Sequence, residues 1–153
     1  MILGDPHYFA IQIDVVVSWN IPDDIWKSGL FYLYIDGKRV FDNLDGVELA
    51  TTVGFYRNAP IDQLPVSDID MDVVSLYRNA EAYFTGDSEQ LVEGLFDLTC
   101  TGMGDAGCYL YYIRTRSGDR LVWSSDNGVT VREITLEAGA VSKVVEGLRM
   151  FVL

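Results

Sequence analysis

The sequence is poor in the residues that most often bind metals or carry catalysis. Its 153 residues include one histidine, His7, and two cysteines, Cys100 and Cys108. A single histidine excludes a multi-histidine metal site, and two cysteines are too few for a zinc cage or a disulfide framework. We therefore expect no metal and no cofactor, a structural or exposed His7, and two buried, unreactive thiols.

The chain also lacks a long apolar run. No stretch reaches the roughly 18 apolar residues of a membrane-spanning helix. The N-terminal MILGDPHYFAIQID has no basic segment of the kind that opens a signal peptide. We interpret residues 1–153 as one domain of a cytoplasmic protein, long enough to bury a core without staples.

Basic residues are scarce as well. The 11 lysines and arginines are outnumbered by 23 aspartates and glutamates, which gives a net charge of −12. Such a surface repels nucleic acid and anionic membranes, so we expect neither as a direct partner. It suits a basic protein partner, because complementary charge raises the encounter rate. Acidity that serves only solubility is the alternative at this point.

Strand patterns dominate what is present. Alternating apolar and polar residues, β-branched runs and tight turn dipeptides all favour hairpins. The predicted strands and hairpins are 9–19, the hairpin 29–41 around Asp36-Gly37, a short strand within 46–56, the hairpin 108–125 around Ser117-Gly118-Asp119, and 129–136 after Asn127-Gly128.

Two segments have helical periodicity. The first begins near Asp70, which we expect to be its N-cap, and ends at Gly86. The second is an amphipathic C-terminal helix with Val141, Val144, Val145 and Leu148 on one face. Within 87–107, the run GLFDLTC fits a strand as well as a helix. These patterns predict an α+β fold: a mainly antiparallel β-sheet built from hairpins, with two or three helices on one face.

A glycine-rich stretch, TGMGDAG, matches G-x-G-x-x-G at Gly102, Gly104 and Gly107. A dinucleotide site needs a helix after these glycines, whose N-terminus would hold the pyrophosphate. Here a β-rich run follows, and Asp105 places a negative charge where phosphate would sit. We interpret the stretch as a mobile connection into a strand, in which the glycines adopt positive φ.

The densest acidic cluster imitates a calcium loop. Asp68, Asp70 and Asp72 have its D-x-D-x-D spacing, but Val73 and Asn79 replace the glycine and the glutamate that an EF-hand requires. An acidic contact surface or a solvated helix start is therefore the better interpretation.

A second acidic loop lies between two tryptophans, Trp19 and Trp26. Aromatic residues beside acidic loops are typical of protein-binding surfaces, and core packing is the alternative for each tryptophan. The candidate contact residues are Asp23, Asp24, Trp26, Asp68, Asp70 and Asp72.

The N-terminal quarter also carries a longer pattern, MILGDP-x-x-FAIQID followed by a tryptophan, and then W-x-x-GLFYLYIDGKRV. This pattern resembles a family of bacterial immunity proteins, immunity protein 42; the later LYYI and DRLVW fit it more loosely. The positions that carry the resemblance are Gly4, Asp5, Pro6, Phe9, Ala10, Ile11, Trp19, Trp26, Gly29, Phe31, Ile35 and Gly37.

Membership would imply a small cytoplasmic protein that binds a cognate secreted toxin domain and occludes it without catalysis, protecting the producer and its kin. Many such toxin domains are nucleases with basic clefts, so the resemblance and the acidity together favour a basic toxin. The resemblance transfers no contact residues, and the six candidates above are hypotheses from the residues alone.

Three further possibilities stay open at this stage. A non-enzymatic small-ligand or carbohydrate-binding β-rich module would use the tryptophans as stacking platforms. A weak enzyme would use paired carboxylates. A homodimer would form through an edge strand of either hairpin.

Overall fold

The structure is a computed structural model that describes residues 1–42 and 46–153. Within these ranges it contains nine strands and four α-helices. The strands are β1 (Ile2–Asp5), β2 (Phe9–Val15), β3 (Ser28–Ile35), β4 (Lys38–Val40), β5 (Val47–Glu48), β6 (Leu95–Asp97), β7 (Tyr109–Thr115), β8 (Gly118–Ser124) and β9 (Arg132–Leu136). The helices are α1 (Leu49–Arg57), α2 (Val73–Thr85), α3 (Thr101–Asp105) and α4 (Ala140–Met150).

The strands form two antiparallel sheets. The first has the order β1-β2-β3-β4, with β5 pairing with the start of β3, and the second has the order β6-β7-β8-β9. The α+β class, the antiparallel hairpins and the C-terminal helix are thus confirmed. Since β7 and β8 are both central, the second predicted hairpin offers no edge to another copy; of the two hairpins, only β4 in the first does.

The first hairpin turns where predicted. Asp36 and Gly37 have φ of 53° and 72°, the left-handed conformation of a two-residue type I′ turn. The second turn lies one residue earlier than predicted, because Thr115 already pairs with Gly118. Gly118 serves close packing within the sheet, since a Cβ there would lie 1.9 Å from the Leu136 carbonyl oxygen of β9.

The main core lies between the two sheets. Inward-facing residues of β2 and β3, such as Ile11 and Leu33, share it with Leu121 of β8 and with α1 and α4. A second, smaller cluster joins α2 to the opposite face of the second sheet through Tyr77 and Tyr111. The second sheet is therefore covered on both faces, and the prediction that all helices lie on one face is wrong.

Other boundaries differ from the sequence-based predictions for local reasons. The segment 46–56 has only two strand residues before α1 begins, because the Glu48 carboxylate caps that helix by accepting from the Ala50 and Thr51 N–H groups. The N-cap of α2 is Asp72 rather than Asp70, and Gly86 ends that helix with φ 86° as predicted.

The open segment 87–107 contains both element types. Leu95–Asp97 forms the edge strand β6, and the glycine-rich stretch forms the short helix α3. Gly102 and Gly104 lie inside α3, and only Gly107 has positive φ, 72°. The stretch is thus a helical turn leading into β7, and its interpretation as a mobile connection with glycines at positive φ is wrong for its first two glycines.

Candidate functional site

The connection between β2 and β3 exposes an unusual number of large apolar side chains. We call residues 15–26 the apolar loop. Its most exposed side chains are Val17 (83%), Ile25 (80%), Ile21 (70%), Trp26 (59%) and Trp19 (52%). Single exposed apolar residues are normal on a soluble protein, but a contiguous group marks an interaction site. Core packing, the alternative for each tryptophan, is therefore wrong for both.

The apolar loop is held by specific hydrogen bonds. The Asn20 side chain donates to the carbonyl oxygens of Val16 (2.7 Å) and Ser28 (2.8 Å), and it accepts from the Ser28 N–H (2.6 Å). The ring of Trp19 lies against Gly46, where an added Cβ would come within 2.7 Å of it. The loop is thus anchored at its base while its apolar side chains face outward, an arrangement that reduces the entropy lost on binding.

The two predicted aspartates of this loop have different environments. Asp24 accepts from the Trp26 N–H (3.1 Å), so its carboxylate helps to shape the loop beside that tryptophan. Asp23 is exposed and has φ of 63°, a conformation that aspartate tolerates better than most residues. The structure therefore places Asp23, Asp24 and Trp26 on one loop, as predicted, and adds Val17, Ile21 and Ile25, which the sequence reasoning missed.

The other three predicted residues lie on the segment before α2, at the second sheet. Asp68 pairs with Arg116 of the β7–β8 turn (2.7 Å). Asp72 accepts from the Val74 and Ser75 N–H groups, and its hydrogen bond with the Ser75 hydroxyl lowers the pKa of its carboxyl. Among the described residues, the Asp70 carboxylate has neither an ion pair nor a hydrogen bond.

An open cavity of about 680 Å³ lies beside this acidic segment. Asp70 and Asp72 line one wall, and Glu133 and Thr135 of β9 line the other. Arg120 sits at its base, where it pairs with Glu133 (2.6 Å) and donates to the Met71 carbonyl oxygen (2.9 Å). The cavity therefore contains more carboxylates than cations.

A second cavity, of about 700 Å³, lies on the opposite side of β9. It separates β9 from β4, the edge strand of the first sheet, and its apolar lining residues are Ile35, Val40, Phe41, Trp123 and Ile134, of which Ile35, Phe41 and Trp123 are almost fully buried. Seven charged residues complete the lining: Asp36, Lys38, Arg39, Asp42, Asp126, Arg132 and Glu133. Sequence reasoning missed this edge, because the pairing of distant strands creates it.

The residues singled out for other chemistry have ordinary environments. His7 is exposed and both cysteines are buried, as predicted, and burial raises the pKa of the Cys100 thiol. Within 1–42 and 46–153, no three His, Cys, Asp or Glu side chains are grouped so as to hold a metal ion. The same ranges include no helix that is long and apolar enough to cross a membrane.

The family model described as Immunity protein 42 matches residues 1–151. The chain belongs to the Immunity protein 42 family. The resemblance seen in the first forty residues thus extends over nearly the whole chain, and it identifies a toxin-neutralising immunity protein of interbacterial competition.

The fold has a counterpart among solved structures. A crystal structure of CdiI from Burkholderia dolosa AUO158 matches with a TM-score of 0.78 and 20% identity, and the alignment covers 97% of each chain. At this identity the match establishes a shared fold. No curated protein matches the sequence.

Proposed function

We propose that this immunity protein neutralises its toxin by stoichiometric occlusion, with the apolar loop as the main contact. The observation that carries the proposal is the exposure of Val17, Trp19, Ile21, Ile25 and Trp26 on one hydrogen-bonded loop. In this proposal the protein acts as one cytoplasmic domain, without catalysis, and its toxin has a basic surface. A nuclease is the toxin class that this charge fits best, since a nuclease cleft attracts phosphate.

The apolar loop can supply most of the binding energy. Fully burying a large aliphatic or aromatic side chain is worth about 1.5–3 kcal/mol. Tryptophan is also enriched among residues whose truncation costs at least about 2 kcal/mol of binding energy. Burial of Trp26 and Ile25 together would therefore account for a substantial part of a nanomolar affinity, which corresponds to about 12 kcal/mol.

The carboxylates have a different role in this proposal. Asp23 is exposed beside the apolar side chains, and the chain as a whole carries a net charge of −12. Charge at the rim of an interface mainly raises the association rate and contributes less to the final affinity. We therefore expect salt to slow association with a basic toxin far more than it speeds dissociation.

The test begins with capture of the toxin. The tagged chain is expressed in its native host, the one-to-one partner is identified, and its affinity for purified chain is measured by calorimetry. Trp26→Ala and Ile25→Ser should each weaken binding at least about 10-fold, or about 1.4 kcal/mol. Val152→Ser is the matched control, since Val152 is also highly exposed but lies outside the loop and away from β9. If Trp26→Ala and Ile25→Ser bind the toxin as tightly as the control variant and the parent chain do, the apolar loop is not the contact.

The electrostatic part has its own readout. Asp23→Asn should lower the association rate in dilute buffer and have little effect at high salt, as stopped-flow fluorescence would show. If the association rate of the parent chain does not change with salt concentration, the toxin surface is not basic. The homodimer, now limited to the β4 edge among the two hairpins, stays a prediction that light scattering tests.

A further inference from the structure

We infer that the free edge of β9 pairs with an extended strand of the toxin, whose side chains alternate between apolar and basic. This inference rests on the toxin-binding function above, but it concerns a second contact on a different sheet. Main-chain pairing at a sheet edge is a recurrent mode of recognition, in which flanking pockets select alternate side chains.

The hairpin geometry shows which backbone groups of β9 are free. In a two-residue hairpin the residues next to the turn, here Thr115 and Gly118, exchange hydrogen bonds, and bonded positions then alternate along the strands. The backbone groups of even-numbered β8 residues therefore form hydrogen bonds with β7, and those of odd-numbered β8 residues form hydrogen bonds with β9. Since Leu121 pairs with Ile134, the N–H and C=O groups of Glu133 and Thr135 point away from the sheet.

The side-chain positions of an added strand fall into the two cavities that flank β9. Successive side chains of a strand point to opposite faces of its sheet. Those next to Ile134 would enter the 700 Å³ cavity, against Ile35, Phe41 and Trp123. Those next to Glu133 and Thr135 would enter the 680 Å³ cavity. Room on both faces of an exposed edge is what an incoming strand requires.

The lining of each cavity defines the chemistry of the occupant. Charged residues line part of the first cavity, but more of its surface is apolar than polar, which favours apolar side chains. The second contains Asp70, Asp72 and Glu133 against the single cation Arg120, and the Asp70 carboxylate is unpaired among the described residues. A lysine or arginine of the added strand can therefore pair with Asp70. A strand from a second copy fits less well, because two chains of net charge −12 repel each other.

The backbone strain at Phe41 is a further feature of this region. Phe41 follows β4 with φ of 62°, although its side chain is almost fully buried. A bulky residue in the left-handed region is uncommon and its backbone is strained. This conformation turns the chain away after Val40 and places the ring in the wall of the apolar cavity.

The first experiment measures backbone protection. Amide hydrogen exchange is followed by NMR for the free chain and for its one-to-one complex with the captured toxin domain. We expect the Glu133 and Thr135 amides to exchange rapidly in the free chain and at least 10-fold more slowly in the complex. The Ile134 amide, already bonded to β8, is the internal control for exchange from this strand.

The second experiment removes one outward N–H. Thr135→Pro deletes a donor that β8 does not use, so proline at this edge position should keep the fold. Thr135→Val keeps the donor and the branched shape. We expect Thr135→Pro to weaken toxin binding at least 10-fold and Thr135→Val less than 2-fold, with circular dichroism to confirm that both variants are folded. If Thr135→Pro does not fold, the exchange experiment on the parent chain decides.

Each outcome separates this inference from the proposed function. A tight complex in which the Glu133 and Thr135 amides still exchange rapidly refutes strand pairing and leaves immunity intact. Protection that appears in the free chain on raising its concentration assigns the edge to a second copy and overturns a toxin strand. Failure to find any toxin would instead contradict the proposed function itself.

Discussion

The N-terminus of α4 is attached to the second sheet by a buried carboxylate. Asp119 is 1% exposed, and its two oxygens accept from the Val141 N–H (2.9 Å) and from the Tyr112 hydroxyl (3.0 Å). The N-cap residue of α4 is Gly139, which has no side chain to cap the helix. Asp119 thus performs the capping role from β8, at the end of the helix where a negative charge is favourable.

Replacing Asp119 by alanine should destabilise the protein strongly. The change leaves two buried donors unpaired, and each such group costs about 1–3 kcal/mol. We expect a loss of at least about 3 kcal/mol in the free energy of unfolding. For a domain of this size, a loss of about 1 kcal/mol in the free energy of unfolding lowers the melting temperature by about 2–4 °C. The melting temperature should therefore fall by roughly 6–12 °C.

Urea unfolding followed by fluorescence measures this loss. Tyr112→Phe is the matched control, because it removes one donor and leaves the bond to Val141 in place. It should cost about 1–2 kcal/mol, less than Asp119→Ala, because only one buried group, an oxygen of Asp119, loses its partner. If Asp119→Ala lowers the free energy of unfolding by less than 1 kcal/mol, the capping role assigned to this carboxylate is wrong.

Three further changes test other parts of the structure. Burial raises the pKa of Asp97, so ionisation of this carboxyl opposes folding. Asp97→Asn should therefore stabilise the protein at pH values above the pKa of the carboxyl in the unfolded state, and it should have no such effect below about pH 4. Urea titrations at several pH values across that range measure the difference. The buried Tyr77 hydroxyl has no hydrogen-bond partner among the described residues, so Tyr77→Phe should keep or raise the melting temperature, and a clear fall would reveal a missed partner. Glu48 caps α1 and also accepts from the Lys27 N–H at the end of the apolar loop. Glu48→Ala should therefore cost about 1 kcal/mol of stability and also weaken toxin binding. An unchanged toxin affinity would show that this cap does not support the apolar loop.

Local sequence signals predicted the hairpins and the C-terminal helix well. A type I′ turn is determined by its own two residues, so Asp36-Gly37 predicts its hairpin without knowledge of the rest of the chain. Val141 and Leu148 are buried on one face of α4, as their spacing predicts. In these elements, propensity and packing favour the same structure.

Helix α1 shows where local signals fail. Its sequence contains Thr51, Thr52 and Val53, β-branched residues that favour a strand over a helix. The helix is stabilised by tertiary contacts instead: the Tyr56 ring stacks on Phe31 of β3, and its hydroxyl donates to the Leu98 carbonyl oxygen (2.9 Å). Such contacts join residues far apart in the chain, so a local reading misses them.

The loop that we propose as the toxin contact was predictable in its location but not in its apolar character. Trp26 and the two neighbouring aspartates lie on that loop, and Ile21 and Ile25 beside Pro22 were a usable signal for it, since large apolar residues in an irregular loop have no strand or helix to bury them. The β9 edge had no such signal. It depends on β9 being the last strand of its sheet, which only the pairing order reveals.

The structure shows that most of the acidic residues predicted as contacts also have roles within the protein. Of the predicted acidic contacts, Asp72 caps α2, Asp68 pairs with Arg116 and Asp24 accepts from the Trp26 N–H, so much of their hydrogen-bonding capacity is used within the protein. Asp23 and Asp70 are the acidic candidates that retain exposed carboxylates without such partners among the described residues. A net charge of −12 acts over the whole surface and would steer the basic toxin proposed above towards the protein, but it specifies no contact. We therefore expect affinity and specificity to come from the apolar loop and from the β9 edge, where the structure leaves apolar area and backbone groups available.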